Sequence, residues 1–275
     1  MVAVPPPLGG SAGVSHRLGG PPALAGVVHL VGAGPGDPGL LTLRAAQLLA
    51  TSTFIAHDRL ATLEALELAP PEAVRVPVGK RRGGGWRQEE IERLIIDAAL
   101  AGHAVVRLKG GDPFVLGRGG EEALACAAAG IPFEVVPGVT SAIAAPAAAG
   151  VPVTHRGVAS GFAVITGHED PTKPETDLDW SALAAFPGTL VILMGVVSLA
   201  TTVDRLIANG RSAATPAAAV RWATTPLEEV VEAPLGQLPQ AVARAGLKPP
   251  ATIIIGDVVA LRAQLAETPS LIRAA

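Results

Sequence analysis

"VGAGPGDPGLLTLRAAQLL", Val31 to Leu49, is the stretch on which the reading of this chain turns. A β-rich run, "VVHLVGAG", ends in a glycine turn and leads into helical "LTLRAAQLLATS". That is the opening of a nucleotide-binding strand-turn-helix unit. The dinucleotide fingerprint G-x-G-x-x-G would put its third glycine at position 37, but Asp37 stands there. The loop therefore reads as a cradle for something other than a dinucleotide, and no such fingerprint appears elsewhere.

Outward from this loop the alternation continues. "TFIAHD", "AVRVPVG", "HAVVRLKGGDP" and "PFEVVPG" read as strands. "QEEIERLIIDAALAG" reads as an amphipathic helix, with Ile91, Leu94, Ile95 and Ala98 on one face and Gly102 at its end. "GGEEALACAAAG" carries acids in its first turn, where the helix dipole favours them. Near "GVPVTHRGVASG" the pattern restarts. "FAVITGH", "GTLVILMG", "PAAAVRWAT" and "ATIIIGDVVAL" carry strands, and "VSLATTVDRLIANG" is a helix. The polar "EDPTKPETDLDW" reads as a surface loop.

The expected fold is α/β: two α/β domains, each a mixed, mostly parallel sheet flanked by helices, with the active-site cleft between them. Residues 27–152 form the first domain and 153–265 the second. Residues 1–26 and 266–275 read as tails. The Pro- and Gly-rich first 26 residues lack a basic n-region and a continuous apolar segment, so they are no signal peptide. They are also too few to hold a further module ahead of the first strand.

The 275 residues suit two domains, and with 49% apolar and 3% aromatic content packing rests on small aliphatic side chains. A net charge of −3 argues against a nucleic-acid partner. Cys126 is the only cysteine, which excludes a disulfide within the chain and reads as a buried helix side chain. His168-Glu169 and His155-Arg156 have no third ligand at metal spacing, so no metal is expected. The uncharged runs Val135–Thr154 and Ser181–Val203 are interrupted by prolines and read as buried units rather than membrane spans. A cytoplasmic protein follows.

In α/β sheets, ligands sit beyond the carboxyl ends of the strands. That rule selects Gly32–Asp37, His57–Arg59, Gly79–Arg81, Gly110–Pro113, Gly138–Ser141, Met194-Gly195 and Trp222–Thr225. Gly110-Gly111 lets the backbone approach a ligand closely, and Asp112 offers a carboxylate, unless it merely closes a turn. Asp58 at a strand mouth is a proton acceptor or a helix N-cap. Arg107, Lys109 and Arg118 are carboxylate binders or ordinary surface cations.

"VGAGPGDPGLLTLRAAQLL", "HDRL", "VGKR", "RLKGGDPFVLGRGGEE", "VVPGVTSAIAAPAAAGVPVTHRG" and "TGHE" together resemble the uroporphyrinogen-III C-methyltransferase family, within the tetrapyrrole (class III) S-adenosylmethionine methyltransferases. The similarity runs from Val27 to Leu261. It implies that the "GAGPGD" loop lines a cleft between two α/β domains, where the donor lies folded and the macrocycle docks. Donor contacts carried over by the resemblance fall on Pro35, Gly110, Gly111, Asp112, Val115, Thr140, Ser141, Met194, Ala223, Ala251 and Thr252. The proton acceptor falls on Asp58 and the proton donor on Lys80. Arg59, Arg81, Arg82, Arg118 and Arg156 are candidates for the substrate's carboxylates, because a guanidinium grips a carboxylate through two hydrogen bonds. A homodimer and S-adenosylmethionine are implied, with precorrin-2 feeding sirohaem or cobalamin synthesis. A sister precorrin methyltransferase, an NAD-dependent oxidoreductase and a tetrapyrrole carrier are the alternatives. His57 in place of the usual Tyr, the glycine-rich "KRRGGGWRQEE", and Trp222-Ala223 in "RWATTP" depart from the pattern.

Overall fold

The computed structural model describes residues 21–79, 85–168 and 177–266. The first sheet is built from β1 (Val28–Gly32), β2 (Phe54–His57), β3 (Val74–Pro77), β4 (Val105–Lys109) and β5 (Phe133–Val136), in the order β3-β2-β4-β1-β5. Every pairing in it is parallel. Two of its three inner strands, β1 and β4, are buried along their whole length, as strands covered by helices on both faces must be.

Side chains alternate between those faces. Val28, Leu30 and Val105 point one way, into a core shared with Ile91, Ile95 and Cys126. Val31, Val106 and Leu108 point the other way, against Ala45, Leu48 and Leu49. The covering helices are α1 (Leu43–Thr51), α2 (Leu63–Glu67), α3 (Gln88–Leu100) and α4 (Gly119–Ala128). Thr42 caps α1 by accepting the Ala45 N–H at 3.1 Å. Burial pushes the Cys126 thiol up to about 11, so it is an inert core group.

After α5 (Ser141–Ala148) come β6 (Phe162–Thr166), α6 (Trp180–Ala185), β7 (Thr189–Leu193), α7 (Leu199–Ala208), β8 (Pro216–Arg221), β9 (Glu229–Pro234), α8 (Leu238–Ala245), β10 (Ala251–Ile255) and α9 (Leu261–Ala266). The second sheet runs β6-β7-β10-β8-β9. Only β6 and β7 are parallel, and the other pairings are antiparallel. Two α/β sheets are thus as expected, but parallel pairing predominates only in the first. The chain between Arg221 and Glu229 is too short for a crossover, so β9 returns antiparallel. The sequence reading assigned β9 no strand. It is an edge strand whose residues are exposed or half-buried along its length.

One face of the second sheet packs Leu190, Ile192, Ile253 and Ile255 against Leu206, Leu235 and Leu238. The other packs Ala218, Val220 and Ile254 against Ala145, Ala149 and Val258. Helix α5 follows the last strand of the first sheet yet lies on the second, which ties the two together. No helix among the described residues is long and apolar enough to cross a membrane.

On β1, beside the edge strand β5, His29 is buried and its Nδ1 lies 2.9 Å from Glu134 Oε2. The Leu24 N–H donates to its Nε2 at 3.3 Å, so Nδ1 carries the proton. Burial holds this imidazole below its ordinary 6.5, against the opposing pull of Glu134. The unfolded chain then binds more protons than the folded one once the pH drops below about 6.5. Thermal stability should therefore fall as the pH drops below about 6.5. Melting curves across that window should show the fall in the parent chain and a flatter profile in His29→Gln.

Candidate active site

The site begins where three strands of the first sheet end. A Cβ at Gly138 would lie 2.2 Å from the Gly111 carbonyl oxygen, and one at Gly32 would lie 2.6 Å from the same atom. Only glycine lets the ends of β1, β4 and β5 converge this tightly. Gly34 and Gly111 complete the contact through a bridge of paired backbone hydrogen bonds.

Asp37 holds its own loop together. Its Oδ1 accepts the Gly39 N–H at 2.7 Å and so caps the turn Pro38–Leu40. Its backbone N–H donates to Thr224 Oγ1 at 3.1 Å, which joins the loop to the second sheet. Gly36, at φ 149°, passes so close to Thr225 that a Cβ there would stand 2.8 Å from Cγ2.

Between the two sheets lies a cleft of about 690 Å³, within the usual range for a ligand pocket. The first sheet contributes Pro35, Gly110, Gly111, Asp112 and Val115, and α5 contributes Thr140 and Ser141 at its first turn. Met194 follows β7, Ala223 follows β8, and Ala251 and Thr252 open β10. Because β10 runs antiparallel to both neighbours, its start borders the cleft where β7 and β8 present their ends. The strand-end rule could not have selected it.

Asp112 accepts three backbone N–H groups: those of Phe114 at 2.8 Å, Val115 at 3.1 Å and Gly138 at 3.0 Å. Its carboxylate therefore shapes the turn that borders the cleft. Among the described residues, five non-glycine ones have left-handed backbone: Leu116, Arg118, Met194, Trp222 and Thr224. The first four of these border the cleft, and Thr224 is the partner of Asp37. Such strain collects where a binding surface demands it.

The floor carries charge. Arg107 Nη2 donates to Asp58 Oδ1 at 2.5 Å, and Arg107 Nε donates to Glu122 Oε1 at 2.9 Å. Lys109 Nζ lies 2.9 Å from each Glu122 oxygen, and it hydrogen-bonds only to Oε1. Arg107 and Lys109 are 2% exposed and Glu122 is 0% exposed. Burial pulls the Arg107 guanidinium down, but Asp58 and Glu122 outweigh it and hold its proton more tightly than usual. Burial, and then the charge of Arg107, lower the Lys109 ammonium. Asp58 is not a helix cap: Thr62 caps α2.

Arg107 and Lys109 are thus neither substrate clamps nor surface cations. The signal was present in the sequence. Two cations two residues apart share one face of an otherwise apolar parallel strand, so a buried anion must meet them. Sequence reasoning missed Glu122 as that anion. Among the other expected residues, Arg118 borders the cleft, is exposed, and pairs with Glu121 at 2.6 Å. Arg59 and Arg156 are exposed and do not border it. Lys80, Arg81 and Arg82 lie outside the described residues.

Residues 27–239 match the family model of the tetrapyrrole (corrin/porphyrin) methylases. An S-adenosyl-L-methionine-dependent uroporphyrinogen III methyltransferase from Methanosarcina barkeri is 47% identical over 243 residues, covering 88% of this chain and 95% of the relative. A siroheme synthase from Chromobacterium violaceum is 48% identical over 242 residues, covering 88% of this chain and 51% of its own length. The chain thus spans about half the length of that relative. A crystal structure of uroporphyrin-III C-methyl transferase from Thermus thermophilus, complexed with S-adenyl homocysteine, superposes with a TM-score of 0.73 at 44% identity. That match covers 85% of this chain and 99% of the other.

Proposed function

Because the chain belongs to the tetrapyrrole (corrin/porphyrin) methylases, we propose that it transfers methyl groups from S-adenosylmethionine to C2 and C7 of uroporphyrinogen III, giving precorrin-2 by way of precorrin-1. One observation carries the reading. All eleven positions expected to contact the donor border the same cleft as Asp58. The cleft also suits the donor. Backbone at Gly110 and Gly111 can approach it without a Cβ, and Val115, Val196, Val220 and Ala223 offer apolar wall.

When bound, S-adenosylmethionine supplies an electrophilic methyl group on its sulfonium. The protein's own part is to align that methyl with a pyrrole carbon and to exclude water, which can supply much of the acceleration. Among the described residues, Arg107 anchors Asp58 Oδ1, and Oδ2 is then the oxygen that takes the ring proton after methylation. Lys80 is the proposed proton donor. Arg118 is the first candidate for the substrate's carboxylates, with Arg59, Arg81, Arg82 and Arg156 behind it. The resemblance further implies a cytoplasmic homodimer, which sedimentation equilibrium of the full chain would test.

The deciding assay incubates the chain with uroporphyrinogen III and labelled donor and reads product mass. Two added methyl groups are expected, and unmodified uroporphyrinogen would overturn the reading. Asp112→Ala strips three backbone N–H groups of their acceptor, so the turn beside the donor should loosen. Calorimetry should show S-adenosylhomocysteine binding about tenfold weaker, the equivalent of about 1.4 kcal/mol. Unchanged affinity would remove Asp112 from the donor site.

A further inference from the structure

Four groups of alternating sign stand in series under the cleft: Asp58, Arg107, Glu122 and Lys109. Only Asp58 has a side chain substantially open, at 32%, against 3% for Arg107 and Lys109 and 0% for Glu122. Buried ion pairs are poor stabilisers, because apolar side chains of similar volume hold two elements together as well or better. Anchoring α4 to β4 therefore does not require four charges. Nor does it require Arg107 to bridge from Glu122 on α4 to Asp58 beyond β2, or Lys109 to border the cleft.

We infer that Glu122 and Lys109 are positioning residues that together set how strongly Arg107 grips Asp58. The inference rests on the reading of Asp58 as proton acceptor and deepens it. Glu122 fixes the guanidinium through Nε, which leaves Nη2 aimed at Asp58. It also draws part of the Arg107 charge away from Asp58. Lys109, on the same carboxylate, limits how much Glu122 can draw. Other titratable groups facing the series are His57, whose Nδ1 contacts the Asp58 carbonyl, and Glu121 and Cys126 on α4.

The two positioning residues carry opposite charge, so removing them should have opposite effects. In carboxyl 13C titrations of the full chain, Glu122→Gln should move the Asp58 pKa down and Lys109→Met should move it up, each by about one unit. The acid limb of the kcat profile should shift in the same two directions. A merely structural role would lower kcat without moving either limb. Should Glu122→Gln not fold, Lys109→Met decides alone, because it removes one cation and leaves Arg107 with both carboxylates. An Asp58 titration that stays put or moves down in Lys109→Met would overturn the inference. The titration is read on resting protein. Full turnover by Asp58→Asn would therefore count against the proton-acceptor reading and leave the carboxyl shifts as a separate result.

Discussion

Replacing Asp58 with alanine is expected to lower turnover by about 10²- to 10⁴-fold, the usual contribution of a positioned general base. Donor binding should hardly change, since Asp58 is not among the positions expected to contact the donor. The fold should also survive. Arg107 loses one carboxylate but keeps Glu122 at 2.9 Å, so its charge is not left bare. Single-turnover kinetics with labelled donor, alongside calorimetry with S-adenosylhomocysteine, separate the two effects. A fall in donor affinity matching the fall in rate would show that the carboxylate serves binding instead.

The second large effect concerns stability. Glu122→Ala should destabilise the chain by about 3–5 kcal/mol, as expected when one partner of a buried ion pair is removed. The contrast with Asp58 lies in what remains. Glu122 is the only carboxylate holding Lys109 among the described residues, and it shares Arg107 with Asp58. Without it, two buried cations sit side by side on one face of β4, and Lys109 loses its carboxylate. Urea unfolding of both variants is the check, and Glu122→Ala should show much the lower midpoint. If the two midpoints coincide, Glu122 is not the hub of this network.

Much of this arrangement could be read in advance. The five strands of the first sheet were legible because parallel strands covered on both faces are nearly continuous apolar runs. Helix α3 was legible from the 3.6-residue spacing of Ile91, Ile95 and Ala98. The pairing directions of the second sheet were not. "TLVIL" and "ATIII" are equally apolar whichever way their neighbours run, and β9 mixes Glu229, Glu232 and Pro234 with its valines. In the cleft, glycine turns and strand ends marked most positions, and the resemblance supplied Val115, Ala251 and Thr252. Glu122 escaped because an acid in a first helical turn already has a sufficient local reason to be there.

The position of β10 has a consequence for biosynthesis. It is the tenth strand in chain order but the middle strand of its sheet, inserted between β7 and β8 with Ile253, Ile254 and Ile255 fully enclosed. On the ribosome the first sheet can assemble as soon as β5 has emerged, whereas the β6-β7 and β8-β9 pairs can join into one sheet only through β10. Half of the cleft wall therefore forms only when that strand slots in, so a nascent chain stalled before it would hold Asp58 beside an unfinished cleft.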